Sequence, residues 1–305
     1  MKTRLLLAAA ALLPLASARL LAQNRGVYPL GMSATNSGVV PAPGLTYANV
    51  FIFYSRDESK GPDGETLGTG SNSVLLDLNT FAWVSEPLSQ LGGAKYSLAA
   101  TIPIANNSLS SDVAGSLSGG GGLGDAYFQP LILGWTTKRA DLRFAYGFLA
   151  PTGRFQAGAS DNVGSGYWTH ALSAAETFSV TENRATAISA YEIYEWHTSQ
   201  EGTGIHPGDT FSLDYSATHT VSLRSDIRLQ FGVAGYEQWQ TTARSGANLT
   251  PAEEASRYRI NAIGVAANVV LAGRKMSLGA KYLKEFSNKS TFQGYSVQVS
   301  GSVNF

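Results

Sequence analysis

The last eleven residues of the chain alternate between apolar and polar side chains. From Tyr295 to Phe305, every odd position carries an apolar residue or glycine, and every even position carries a polar residue. Successive side chains of a β-strand point to opposite faces, so this period of two predicts a strand with one apolar face. The stretch has the length of a tilted strand that crosses a bilayer, about 9–11 residues. The alternative is a strand of a soluble β-sandwich, whose apolar face would meet a core.

The same alternation recurs along the chain and predicts twelve strands. An even number of antiparallel strands is typical of bacterial single-chain barrels. The predicted strands cover residues 46–54, 74–84, 96–102, 125–135, 142–148, 166–179, 187–196, 211–217, 227–233, 258–269, 276–282 and 295–305.

The connections between these strands favour the barrel over the sandwich. Long gaps, such as residues 55–73 and 149–165, alternate with short gaps, such as residues 136–141 and 180–186. Outer-membrane barrels join their strands by short periplasmic turns and longer outer loops, whereas a sandwich has no reason to sort its connections in this way. We therefore predict an all-β fold, a transmembrane antiparallel up-and-down β-barrel of about twelve strands over residues 46–305.

Composition agrees with this fold and narrows the function. Charged residues make up only 14% of the chain and the net charge is zero, so nothing indicates a nucleic-acid partner. Cysteine is absent, which excludes a disulfide framework in an exported chain.

The first residues predict export. Lys2 and Arg4 precede an apolar run at residues 5–15, and Ala16-Ser17-Ala18 follows as a small-residue cleavage site. The run is too short for a membrane anchor, which needs roughly 20 apolar residues. We predict a signal peptide over residues 1–18, with Ala22 as the alternative cleavage position, and a final location in the bacterial outer membrane. The C-terminal strand ending at Phe305 resembles the strand that the outer-membrane assembly machinery binds, so that machinery and outer-membrane lipid are predicted partners.

We assign residues 19–45 to an N-terminal periplasmic segment. Within it, residues 27–45 are predicted to form neither a helix nor a central strand, because Pro29, Pro41 and Pro43 would break both. We predict that residues 28–40 fold into the barrel lumen as a small hatch, and that residues 41–44 turn the chain into the first strand. The alternative is a disordered periplasmic lead. The residues assigned to the hatch are Tyr28, Pro29, Leu30 and Gly31.

The alternation also predicts which side chains face the lumen. If the apolar face meets lipid, the charged residues between the apolar positions point inward, since an arginine facing lipid at the midplane costs roughly 2–4 kcal/mol. Gln230, Asn261 and Lys281 follow from the same rule. The predicted solute path comprises Asp77, Lys95, Arg143, Asp214, Arg228, Arg257 and Arg259.

No sequence motif indicates catalysis, a metal or a cofactor. The four histidines lack metal-ligand spacing, and no G-x-S-x-G nucleophile motif is present. Barrel phospholipases use a serine and a histidine on the barrel wall, and His170 or His219 could supply that histidine. We predict no enzyme, no cofactor and no metal site, and keep a phospholipase or esterase barrel as the alternative.

Several short stretches together resemble one family. They are YPLG at residues 28–31, PAPG at 41–44, GLGD at 122–125 followed by PLILGW at 130–135, and APTGRF at 150–155 followed by NVGSGYW at 162–168. They resemble the outer-membrane proteins associated with the meta-pathway of phenol degradation. The resemblance implies an outer-membrane β-barrel that lets small aromatic or hydrophobic compounds cross. It carries no set of binding residues.

The sequence thus predicts an outer-membrane channel for passive uptake of small aromatic or hydrophobic solutes. A structural barrel without transport is a further alternative.

Overall fold

The structure, a computed structural model, describes residues 26–111, 115–247 and 249–305. Beyond one short helix, α1 (Pro251–Ala255), and two 3-10 turns (Ser89–Leu91 and Ala272–Arg274), its regular elements are strands. Among the described residues, no helix has the length and apolar character needed to cross a membrane. The strands are β1 (Gly44–Lys60), β2 (Thr66–Leu88), β3 (Ala94–Ser111), β4 (Gly115–Leu123), β5 (Ala126–Thr136), β6 (Ala140–Ala150), β7 (Thr169–Ser179), β8 (Thr186–His197), β9 (Thr210–Ser222), β10 (Ile227–Gln240), β11 (Arg259–Leu271), β12 (Met276–Glu285) and β13 (Phe292–Asn304).

These strands close into an antiparallel barrel. Neighbours in sequence pair along the wall, β1 pairs with β13, and β2 pairs with β3. The first part of β3, residues 95–101, pairs with β5, and its second part, residues 104–111, pairs with β4. β4 and β5 therefore form one strand of the wall, which is interrupted at Gly124 and Asp125. The closed wall therefore has twelve strands, which confirms the predicted fold, and every predicted strand overlaps an observed one.

The strands extend further than the alternation predicts on one side of the barrel. Residues 55–73 were expected as a long loop, yet β1 and β2 stay paired up to Lys60 and Thr66. The region of residues 103–124 is likewise occupied by β3 and β4, which pair antiparallel, and residues 112–114 lie outside the described residues. Backbone pairing satisfies the N–H and C=O groups of these segments without any apolar alternation, which explains why the sequence pattern missed them. The predicted signal peptide also lies outside the described residues.

The two faces of the wall differ as a membrane barrel requires. On the outer face, Phe51, Val265 and Val299 are exposed by 43%, 59% and 51%. On the inner face, polar residues such as Gln238, Ser212 and Gln298 are almost fully buried. A belt of exposed apolar side chains around a polar interior is the arrangement found in bilayer-spanning barrels.

The inner face also carries apolar side chains on part of the wall. Ile52, Leu78, Ile132, Ile193 and Ile260 all point inward and are buried. These strands carry apolar side chains on both faces, so the lumen is lined by apolar as well as polar side chains.

Close strand packing at one glycine gives a testable consequence. Gly264 on β11 lies opposite Leu283 on β12, and a Cβ at this position would lie 1.8 Å from the carbonyl oxygen of Tyr282. Even alanine must therefore push β12 away, and overpacking of this kind costs about 1–3 kcal/mol. We expect Gly264→Ala to lower the free energy of unfolding, measured by urea titration of tryptophan fluorescence in lipid vesicles.

Gly301→Ala is the matched control, since a Cβ there would lie 3.4 Å from the Leu278 side chain. An equal loss of stability in the two variants would contradict this account of Gly264.

Candidate functional site

The segment that precedes β1 makes its contacts with inward-facing residues of the barrel. We call residues 26–43 the N-terminal segment. Its main anchor is the buried carboxylate of Asp214 on β9, which accepts hydrogen bonds from the Tyr28 hydroxyl at 2.5 Å, the Gly31 amide at 2.9 Å and the Ser33 amide at 3.1 Å. Burial, together with the Asp214 charge, raises the pKa of the Tyr28 hydroxyl well above its usual range, so this hydroxyl stays protonated and donates.

A buried lysine holds the other side of the same turn. Lys281 Nζ on β12 donates to the carbonyl oxygens of Gly31 and Met32, each at 2.6 Å. The amide of Gln298 on β13 donates to the Leu30 carbonyl at 2.8 Å. Asp214 thus accepts hydrogen bonds from the N–H groups of the turn, and Lys281 donates to its C=O groups. These contacts satisfy backbone groups that would otherwise be buried without partners.

A second buried carboxylate fixes the start of the segment. Glu195 on β8 accepts hydrogen bonds from the Tyr28 amide and from the Thr210 hydroxyl, both at 2.9 Å. Glu195 is 1% exposed. A carboxyl group removed from water needs such partners, because burying it without hydrogen bonds is strongly unfavourable.

Apolar packing completes the fit between segment and wall. Ala34 and Leu30 pack in a cluster with Tyr236, Ile260 and Leu283, and Tyr28 packs with residues of β7 and β8. Gly31 has a φ of +79° and a Cβ there would lie 2.4 Å from Leu283 Cδ1, so only glycine suits this position.

A cavity of about 410 Å³ lies between the N-terminal segment and the wall formed by β2, β3, β5, β6 and β8. Apolar side chains supply most of its surface, and a few polar groups interrupt them. Cavities of about 300–1,000 Å³ with this composition are typical of small-molecule sites. Its lining includes Leu76, Leu78, Asp125, Tyr127, Gln129, Arg143, Tyr191, Ile193 and Glu195.

The outer end of this cavity is formed by a loop that Asp125 organises. Its carboxylate accepts hydrogen bonds from the Gly153 amide at 2.8 Å and from the Ser165 amide and hydroxyl at 2.7 and 2.6 Å. A Cβ at Gly164 would lie 2.5 Å from the Gly153 carbonyl oxygen, so the two loop ends touch through their glycines. The GLGD, APTG and NVGSGYW stretches therefore meet in space, at the mouth of the cavity.

The structure places four members of the predicted solute path on the inner face. Asp214 anchors the N-terminal segment, Arg143 lines the cavity, and Lys95 donates to the Pro41 carbonyl at 3.0 Å. Arg228 lies at the exposed periplasmic end of β10, on the same side as Gln230. Their part in a solute path stays a prediction.

Three other members do not face the lumen, so for them the predicted orientation is wrong. Asp77 lies on the outer face, between the inward-facing Leu76 and Leu78, and accepts a hydrogen bond from Asn49 at 2.5 Å. Its strand is apolar on both faces, so alternation could not fix which face met lipid. The assumption that the apolar face of a strand meets lipid fails where the inner face of the strand is apolar as well.

Arg257 and Arg259 are also wrongly predicted to face the lumen, because the inner face of their strand region is apolar. Tyr258 and Ile260 point inward into the cluster around Ala34, which leaves Arg259 on the outer face over the Trp239 ring, with an ion pair to Glu237 at 3.4 Å. Asn261, predicted to follow the same rule, also lies on the outer side and donates to the Phe286 and Ser287 carbonyls. Arg257 lies in an outer loop and donates to the Thr241 carbonyl at 2.9 Å.

Sequence reasoning missed Glu195 and Asp125. Glu195 lies in an alternating stretch with Tyr191, Ile193 and His197 on one face, so a consistent phase for β8 would have placed it in the lumen. Asp125 ends the GLGD motif, and its bonds to a loop about 30–40 residues later leave no local trace in the sequence.

The hydrogen bonds of the histidine rings go to groups other than a serine hydroxyl. His170 bonds the Tyr146 hydroxyl at 2.9 Å, His197 bonds Thr169 at 2.8 Å, and His219 bonds Thr186 at 2.9 Å. His206 accepts from the Gly208 amide at 3.2 Å. In the parts of the chain that the structure describes, no group of three or more acidic, histidine or cysteine residues could hold a metal ion.

Comparison with known proteins assigns the chain to a family. The model of the family described as "Putative MetA-pathway of phenol degradation" matches residues 55–300. The comparison with curated proteins gives no significant match.

Two solved structures show the same fold at low identity. The COG4313 outer membrane channel from Pseudomonas putida F1 is 13% identical, with a TM-score of 0.71, and the alignment covers 88% of this chain and 97% of that one. The β domain of the Bordetella autotransporter BrkA is 10% identical, with a TM-score of 0.55, covering 87% and 100%. The fold is that of a bacterial outer-membrane β-barrel, and the resemblance seen in the sequence is confirmed.

The Asp214 contacts predict how the N-terminal segment responds to mutation. Ser37 in this segment is 3% exposed and the chain has no cysteine, so Ser37→Cys provides a single thiol probe. We expect a maleimide to label this thiol at least about 10-fold faster when Asp214→Ala is added, because the three lost hydrogen bonds involve a charged acceptor, each worth about 1.5–3 kcal/mol.

Asp63→Ala, at an exposed outer turn, is the matched control and should leave the labelling rate unchanged. Equal labelling rates in the presence and absence of Asp214→Ala would contradict the anchoring role of Asp214.

Proposed function

The chain belongs to the MetA-pathway family of phenol degradation, and on that premise we propose that it is an outer-membrane channel for passive uptake of small aromatic or hydrophobic compounds. The observation that carries the proposal is the largely apolar cavity of about 410 Å³ inside the barrel. Its lining includes the outer-loop residues Val163, Gly164 and Ser165. The cavity therefore reaches the outer loops, where a solute would arrive from outside the cell. The COG4313 protein, which has a similar fold, is described as an outer membrane channel, and this supports the proposal.

We propose that the N-terminal segment acts as the hatch of this channel. It lies directly beside the cavity, to which Val27, Tyr28, Pro29, Met32 and Ser33 contribute. Its turn is held by hydrogen bonds with side chains on separate strands, β9, β12 and β13, rather than by continuous sheet pairing. A segment held in this way can leave its place without opening the barrel wall.

Transport of this kind needs no catalytic step. The hydrogen-bond partners of the histidines support the proposal that the protein is a channel and not an enzyme. The aromatic and threonine partners of His170, His197 and His219 do not offer the serine nucleophile that a phospholipase-type site requires. A purely structural barrel has no need of an apolar cavity with an organised mouth. Export through a signal peptide at residues 1–18, and insertion through the assembly machinery by the strand ending at Phe305, belong to the same proposal.

Uptake by intact cells tests the channel directly. We expect porin-deficient cells that carry the protein to take up radiolabelled toluene several-fold faster than cells carrying an equal amount of a closed eight-stranded barrel. In planar bilayers, deletion of residues 27–40 should raise the single-channel conductance, because it removes the segment that fills the lumen.

Gly31→Val provides a second variant in case the deletion does not fold, since its side chain would collide with Leu283 and displace the turn. Unchanged uptake of every aromatic solute tested would refute the channel. Unchanged conductance in a folded deletion variant would refute the hatch alone.

A further inference from the structure

One charged side chain of the cavity lacks an ionic partner. Arg143 lies on the inner face of β6 and lines the cavity, with its guanidinium carbon 5.5 Å from the centre of the Tyr191 ring. Within the described part of the chain, no carboxylate oxygen lies within 4.0 Å of its nitrogens, whereas Arg154, Arg184 and Arg259 each pair with an acid. The contact over a ring does not use the five N–H donors, which lie in the guanidinium plane.

The carboxylates of the same cavity are already engaged by protein donors. Asp125 accepts three hydrogen bonds from Gly153 and Ser165, and Glu195 accepts from Tyr28 and Thr210. These two acids hold the outer loop and the N-terminal segment in place. Arg143 is therefore the charged group of this cavity that remains available to a ligand.

The surroundings of Arg143 define the chemistry of that ligand. Leu76, Leu78 and Ile193 offer an apolar surface for a ring or a short alkyl body. Tyr127 and Gln129 from the neighbouring β5 add polar groups to the same cavity, and the absence of a side chain at Gly147 leaves room for the Tyr127 hydroxyl. An arginine in a mostly apolar pocket binds a carboxylate strongly, because its planar fork matches the two oxygens.

We infer that the cavity binds small aromatic monocarboxylates, with the carboxylate on Arg143 and the ring against Leu76, Leu78 and Ile193. This inference rests on the proposed channel function and refines it, since it makes the preferred solute an amphipathic anion rather than a neutral hydrocarbon. A benzoate-sized molecule fits within about 410 Å³.

Binding of matched acids and amides tests the inference. The folded, detergent-solubilised full chain is titrated with benzoate, phenylacetate and their neutral amides at pH 7.5, with ligand-observed NMR as the readout. We expect both acids to bind at least about 10-fold more tightly than their amides, because hydrogen bonds to a charged group are the stronger ones. Arg143→Met should remove this preference, so that the acids bind no more tightly than their amides, while Arg143→Lys should retain part of it.

Arg259→Met is the matched control, since Arg259 also lies over an aromatic ring but on the outer face of the wall. It should leave acid and amide binding unchanged. Acids and amides that bind equally, or an acid preference that survives Arg143→Met in a folded protein, would overturn the inference.

The uptake assay keeps this result separate from the proposed function. Uptake of toluene with no acid preference in binding leaves the channel standing and removes only the role of Arg143. Absence of uptake for toluene and benzoate alike removes the channel itself.

Discussion

The carboxylate of Asp214 is the interaction on which the interior depends. It lies buried on β9 and accepts one hydroxyl and two amide hydrogen bonds from a single turn of the N-terminal segment, and Lys281 binds the carbonyls of that same turn. A proline- and glycine-rich stretch with no strand partner inside a barrel must satisfy its backbone through contacts of this kind with wall side chains and through its own turns. With the turn in place, Ala34 and Leu30 pack against apolar residues of the wall, and a cavity of about 410 Å³ remains beside the segment.

This arrangement explains which parts of the fold could be predicted. Strands β6, β9 and β13 alternate cleanly because each has one face on lipid and a largely polar or small-residue face inward, where Arg143 and Asp214 lie. On β2 and β11, the inner face carries Leu76, Leu78 and Ile260, which pack beside the cavity or the N-terminal segment. Apolar residues then occur on both faces, and the rule that charged residues point inward placed Asp77 and Arg259 on the wrong side.

The family motifs have a physical role that their order in the sequence does not reveal. Asp125 of GLGD, Gly153 of APTG, and Gly164 and Ser165 of NVGSGYW come together at the mouth of the cavity. The glycines allow two loop backbones to touch, and the aspartate takes the amides that this contact leaves unpaired. The motifs thus shape the outer end of the cavity, to whose lining Asp125, Gly164 and Ser165 contribute together with residues of β2, β6 and β8.

Hydrogen exchange of the N-terminal segment tests this account most directly. In the membrane-embedded protein, the amides of Tyr28, Gly31 and Ser33 each donate to a buried carboxylate, so mass spectrometry of a peptide covering residues 27–40 should show exchange slowed by at least about 100-fold relative to the same peptide free in solution. Exchange at the rate of the free peptide would mean that the segment does not occupy the lumen, and that neither the cavity nor a hatch beside it exists as described.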